Sequence, residues 1–354
     1  MNSFQIAAIL AQDGVTTGAI YALLGMALVL LFAVTRVLFF AQGEFVVFGA
    51  LSMVWLHAGK VPATLWLAVG LAFVVGVLEV FAAWRDGHNN GCNGRSQAQA
   101  LLKTALVFFA LPALLAFAVT HITHANMPLW ASSLVSLAIV TALGGLLHRL
   151  VFQPMADASV LALLIVSIGL HFVLSSLSLL FFGVEGFRSP AFWRGAVQLG
   201  WMRFNGQSLI VVGATAGLIA LLAVVFSRTL MGKALRATAS NATGARLLAV
   251  PVAVSGRLAF SIAAFIGGLC GLLIGPIVTL YYDSGLLIGL KGFVAAVVGG
   301  LHSYALTLLG ALGIGIIEAV ASFQFSAYKE ALVFLLILPV LLWLSLRGRT
   351  ACGH

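Results

Sequence analysis

Apolar runs of twenty or so residues, broken by short polar stretches, make up most of this chain. A helix rising 1.5 Å per residue needs about 20 such residues to cross roughly 30 Å of hydrocarbon. On that measure the sequence predicts spans near residues 15–34, 37–56, 62–84, 104–120, 129–150, 158–182, 208–226, 257–279, 285–301, 304–323 and 330–346. Only GLHSYALTLLG separates the ninth run from the tenth, so one of those two could be re-entrant. The expected fold is an all-α polytopic membrane protein, a bundle of about 10–11 transmembrane helices in one domain over residues 1–354.

Composition strengthens the pattern. Apolar residues make up 62% of the chain and charged residues 8%, against roughly 45–50% and about 25% in soluble domains. Mean hydropathy is +1.15. A soluble fold of this length has too little interior to hide so much apolar surface.

The net charge of +9 does not read as a nucleic-acid surface, because the basic residues lie between apolar runs, as topology-setting charges do. Placing the N-terminus outside puts Arg36, Arg85, Arg95, Lys103, Arg149, the group from Arg228 to Arg257, Arg347 and Arg349 on the inner side. Lys60, Arg188, Arg194, Arg203 and Lys329 then face outward. The positive-inside rule therefore predicts N-out and C-in. Cys92, Cys270 and Cys352 have no disulfide-framework or metal-type spacing and are expected to be free thiols. The opening MNSFQIAAILAQDG lacks a cationic segment and a cleavage site, and reads as mature sequence.

Four ionisable residues interrupt the spans: Glu44, Glu79, Lys291 and Glu318. Such groups are costly in lipid, so they pair inside the bundle or border a polar path. AQGEFVVFGA around Glu44 and GLKGFVAAVVGG around Lys291 share a faint pattern, as an internal duplication would leave. The expectation is that Glu44 faces the bundle interior with Lys291 as its nearest opposite charge, either as a structural pair or beside a substrate path. Nothing around Glu79 or Glu318 repeats, so those two are read as structural.

Catalytic chemistry is missing. MGKAL at 231–235 has a lysine but no glycine-rich loop to cradle phosphate, so the chain cannot hydrolyse ATP alone. Tyr282-Asp283 lacks the second aspartate that paired-carboxylate proteolysis needs. His302-Ser303 has no strained nucleophile turn, and His121 with His124 lacks a third metal ligand. The reading is that the chain is not an enzyme and holds no metal.

Two connections stand out. Residues 183–207 form an expected outer loop whose Phe187, Trp193 and Trp201 suit the membrane interface. Residues 227–256 form an inner loop, SRTLMGKALRATASNATGARLLAVPVAVSG, rich in Lys and Arg and without an acid. Ser240 and Asn241 are good N-caps, ATGARLLAV offers two to three turns, and Val250 before Pro251 is where a helix is expected to stop. Such a helix either lies on anionic lipid or docks a cytoplasmic partner.

Taken together, these residues resemble the LivH-type permeases of branched-chain amino acid ABC importers. That family reads G-x-I-Y-A-L followed by N-F-A-H-G-E; here Gly18, Ile20, Tyr21, Ala22 and Leu23 match, then Phe40, Ala41, Gly43 and Glu44, with Gln42 where histidine is usual and Phe39 for the asparagine. HRLVFQPMADASVLALLIVSIGL is similar to the family's E-R-x-x-Y-R-P-L-R segment, keeping Pro154 but with His148 for the glutamate. In the inner loop Gly232, Arg236, Ala237, Ala245, Arg246 and Leu247 match the family's coupling loop, with Ala249 for a glycine. GLKGFVAAVVGGLHS matches at Lys291, Phe293, Ala295, Ala296, Gly299, Gly300 and Ser303. Residues 85–128, with the loop RDGHNNGCNGRSQAQALLK, read as an insertion.

The resemblance implies a multi-pass permease of the bacterial inner membrane. It implies two cytoplasmic ATPase subunits that use ATP, a second related permease or a second copy, and a periplasmic substrate-binding protein, with no cofactor in this chain and no nucleic acid. Substrates would be branched-chain or other amino acids, amides or urea. Gly232, Arg236, Ala237, Ala245, Arg246 and Leu247 would couple to the ATPase, and Gln42, Glu44, Lys291, Gly299 and Gly300 would border the translocation path. The alternative is a stand-alone secondary transporter with Glu44 and Lys291 as coupling charges.

Overall fold

The first apolar run extends further than expected. In a computed structural model of the chain, which describes residues 3–89, 106–123, 127–199, 202–325, 328–335 and 339, helix α1 spans Ser3–Thr35. No proline interrupts it, and it stops where Arg36 turns into the left-handed region at φ 58°. There follow α2 (Gln42–His57), α3 (Ala63–Asn89), and α4 (Leu111–Thr123), which is entered through a π-helical turn at Leu106–Ala110. Next come α5 (Leu129–Leu147), continued by a π turn at His148–Phe152, and α6 (Val160–Phe182). After a small hairpin, α7 covers Gly206–Arg228, α8 Leu230–Ser240, α9 Ala242–Leu247 and α10 Val252–Ile274. The last described helices are α11 (Ser284–Val298), α12 (Tyr304–Gln324) and α13 (Lys329–Leu335).

The all-α polytopic expectation holds. Seven described helices are long and apolar enough to cross a membrane: α1, α3, α5 with its π turn, α6, α7, α10 and α12. The difference from the longer list of expected spans has a physical reason. Helices α2 and α11, with 16 and 15 residues, are too short to cross alone, and most of their residues are buried within the bundle. Helix α4 has 13 residues. Most of the run expected at 330–346 lies outside the described residues, as do Cys92, Cys352, Trp201, His124 and residues 90–103 of the RDGHNNGCNGRSQAQALLK loop.

Glycine brings the central helices together. Gly14 and Gly18 of α1 meet Gly315 and Ala311 of α12 so closely that a Cβ would strike backbone, the small-residue contact of membrane helix pairs. Gly49 of α2 packs in the same way on Gly268 of α10, and Gly144 of α5 on Phe260 and Ala264 of α10. Helices α1, α2, α10 and α11 thus form the centre. Phe39, Phe45, Phe152 and Phe260 knit it, with ring centroids 5.0–5.8 Å apart. Helices α6 and α7 are mostly exposed along their lengths, as lipid-facing apolar helices would be.

The expected outer loop is strapped down. Strand β1 (Ala196–Leu199) pairs antiparallel with β2 (Met202–Asn205). Upstream, Phe187 and Leu280 exchange two backbone hydrogen bonds of 2.9 Å. Arg188 donates Nε to Pro276 O at 3.0 Å and Nη2 to Ile277 O at 3.1 Å. The loop is therefore fastened to the connection between α10 and α11.

Candidate functional site

The two short interior helices carry the two charges singled out from the sequence. Glu44 is the third residue of α2 and fully buried, in the first turn, where a helix favours negative charge. Its neighbour on α6 is His171, whose Nδ1 lies 2.9 Å from Oε1, at ion-pair distance but without good hydrogen-bond alignment. Across from it stands α11. A Cβ on Gly43 would overlap the Gly285 carbonyl, and one on Gly285 would press on the Glu44 carboxylate, so both glycines are needed for the approach. Gln42, also fully buried, donates Nε2 to Ala263 O at 2.8 Å, and its Oε1 has no hydrogen-bond partner among the described residues.

Lys291 does not pair with Glu44. Its Nζ donates to Glu318 Oε1 on α12 at 2.5 Å, and the Tyr21 hydroxyl of α1 donates to Oε2 at 2.7 Å. The Lys291 ammonium also sits 5.6 Å from the Tyr21 ring centroid, within cation–π range. The reason for the change of partner lies in α11. Gly285 and Gly289 turn one face of it toward Gly43 of α2, and residues two apart on a helix do not share a face. Lys291 therefore points away from α2, toward α1 and α12. Glu318, read from the sequence as structural and not matched to Lys291, is its partner.

This ion pair borders a cavity of about 530 Å³ between α1, α10, α11 and α12. Asp13 and Glu330 also line it, and neither has a cationic partner among the described residues. Ile20, Ile274, Leu287 and Ile288 form an aliphatic part of its wall, and Thr17, Ser284, Ser322 and Phe323 also line it. Gly299 and Gly300 lie elsewhere, in the turn after α11. Gly300, at φ 65°, donates to Val297 O, and Leu301 donates to Ala296 O, a Schellman end that favours glycine.

Glu79 also has partners that its sequence surroundings did not reveal. Arg149 Nε approaches Glu79 Oε1 at 2.5 Å and Arg257 Nη2 at 3.9 Å, joining α3, the π turn and α10. Among the described residues no three His, Cys, Asp or Glu side chains gather as a metal site.

The inner loop folds as two short helices. Thr229 caps α8 by accepting from Gly232 N at 3.0 Å, and Asn241 caps α9 by accepting from Gly244 N at 2.9 Å. Gly232 is buried against the backbone of Val225 and Phe226 at the end of α7, and Ala245 is the buried residue of α9. Arg236 and Arg246 are exposed, and Ala237 is half-buried; Arg246 stands 3.9 Å from Asp157. Helix α9 ends earlier than the proline implied. Ala249, at φ 58°, donates to Arg246 O and Val250 to Ala245 O, another Schellman end. Leu230, Met231, Leu247 and Leu248 remain exposed, Leu247 at 85%.

A glycine-packed apolar bundle, with short interior helices bearing charge and a paired-helix loop at one end, is the architecture of a multi-pass membrane protein. The family model "Branched-chain amino acid transport system / permease component" matches residues 104–341, and the chain belongs to that family. It is 30% identical over 216 residues to the high-affinity branched-chain amino acid transport system permease protein LivH of Escherichia coli (strain K12), covering 58% of this chain and 70% of the relative. LivH of Salmonella typhimurium is 29% identical over the same length. BraD of Pseudomonas aeruginosa is 26% identical over 243 residues, covering 67% of this chain and 79% of BraD. No solved structure matches the chain.

Proposed function

We propose that this chain is the permease subunit of a binding-protein-dependent ABC importer for branched-chain or related amino acids, driven by separate cytoplasmic ATPase subunits. The carrying observation is the α8–α9 unit. Two capped helices hold Leu230, Met231, Leu247 and Leu248 bare at one end of the bundle, with Arg236 and Arg246 beside them. An exposed apolar patch of this kind is a contact surface, and the ATPases supply the energy chemistry this chain lacks. In that arrangement the chain lies in the bacterial inner membrane with its N-terminus outside. It takes substrate from a periplasmic binding protein beside a second related permease or a second copy. The path borders α11, whose Lys291 faces the cavity beside α1 and α12 and whose opposite face meets α2 with Gln42 and Glu44.

Arg246→Glu combined with Leu247→Asp tests the docking. Reversing one charge and removing one apolar anchor opposes both electrostatic and packing attraction. The expected result is loss of uptake and of ATPase co-purification with normal membrane insertion, because both side chains are exposed. Uptake at the wild-type rate refutes ATPase docking here, and gradient-driven accumulation by the chain without ATPases establishes a secondary transporter instead.

A further inference from the structure

Resting on the amino-acid permease reading, we propose that the cavity between α1, α10, α11 and α12 is a binding site for the zwitterion of an aliphatic α-amino acid. Its volume, about 530 Å³, falls within the range of small-molecule sites, roughly 300–1,000 Å³. Its chemistry is divided in the way such a ligand is. Among the described residues Lys291 is the one cation lining it, and it supplies a donor for the α-carboxylate. Asp13 and Glu330 supply acceptors for the α-ammonium and have no cationic partner of their own among the described residues. Ile20, Ile274, Leu287 and Ile288 form an aliphatic wall for a branched side chain. Tyr21 is placed for the exchange that binding requires. When a ligand carboxylate draws on the Lys291 ammonium, the Tyr21 hydroxyl still donates to Glu318, so the buried carboxylate is not stranded. A purely structural Lys–Glu pair would need neither the open volume nor the two further carboxylates.

Thiol protection in the full chain, held in lipid nanodiscs, tests the assignment. Ser322 lines the cavity and is exposed, so Ser322→Cys, with Cys92 and Cys352 changed to serine, places a reactive thiol there. Cys270 is fully buried. L-leucine at ten times its dissociation constant is expected to slow modification by a small methanethiosulfonate about tenfold. Leucinamide, which lacks the carboxylate, and 4-methyl-2-oxopentanoate, which lacks the ammonium, are expected to protect far less. Asp13→Asn, at an exposed position that does not hold the fold, is expected to weaken protection by leucine. Two outcomes overturn the proposal: no protection by leucine in a chain whose assembled importer takes up leucine, which leaves the permease reading intact, or equal protection by leucinamide, which makes the cavity a cation site. An assembled importer that moves no amino acid removes the permease reading itself.

Discussion

At the scale of the residue, the buried charges separate what sequence can mark from what it cannot. Glu44 and Lys291 declared themselves by interrupting apolar runs. The pairings did not: His171 sits in an apolar helix that looks lipid-facing, and Glu318, which also interrupts a run, has no repeat around it to tie it to Lys291. Partner choice depends on which face of α11 meets which neighbour, and that is set by contacts between glycines far apart in sequence. The Glu318 pair has a measurable energetic signature. Glu318→Leu leaves Lys291 buried beside a lone hydroxyl and is expected to cost about 3 kcal/mol, the lower end for a broken buried pair, since the side chains keep 9% and 14% exposure. Glu318→Gln keeps an acceptor oxygen for Lys291, and the Tyr21 hydroxyl can turn to accept from the amide nitrogen, so it is expected to lose less. Thermal unfolding of the two variants in detergent distinguishes them.

At the scale of the element, the α8–α9 loop shows both kinds of outcome. Its second N-cap was legible, because Asn241 precedes a helical run and accepts from the third residue on. Its end was not. Pro251 suggested a longer helix, yet the chain reverses at Ala249, a non-glycine residue in the left-handed region. Proline marks where a helix cannot continue, whereas the Schellman turn marks where it stops, and only glycine advertises that turn in a sequence. A side chain in that conformation costs about 1–2 kcal/mol. Ala249→Gly is therefore expected to stabilise the turn by about 1 kcal/mol, seen as slower amide exchange at Ala249 and Val250. No change or faster exchange there contradicts the strain.

At the scale of the molecule, membrane class was legible from composition alone, whereas the count of crossings was not. Hydropathy does not separate a helix that faces lipid from one enclosed by other helices, and α2 and α11 are of the second kind. Glycine spacing decides which helices can be enclosed. Gly43→Val places a branched side chain where the Gly285 carbonyl already sits, and is expected to abolish recovery of monodisperse protein on size exclusion. Gly213 on α7 has open space where a Cβ would go. Gly213→Ala is expected to be neutral or to stabilise by up to about 1 kcal/mol, the helix preference of alanine over glycine. Equal tolerance at both sites would contradict the glycine-packed centre.

The strap between Phe187 and Leu280 has a mechanical consequence. The segment from Pro276 to Leu280 forms part of the rim of the amino-acid cavity and is held by two main-chain bonds and two guanidinium bonds to residues 187 and 188. A push on the loop at 183–207 is thus delivered to the rim at the point where α11 begins. Whatever presses on that loop works the mouth of the cavity as a handle works a latch, without touching Lys291.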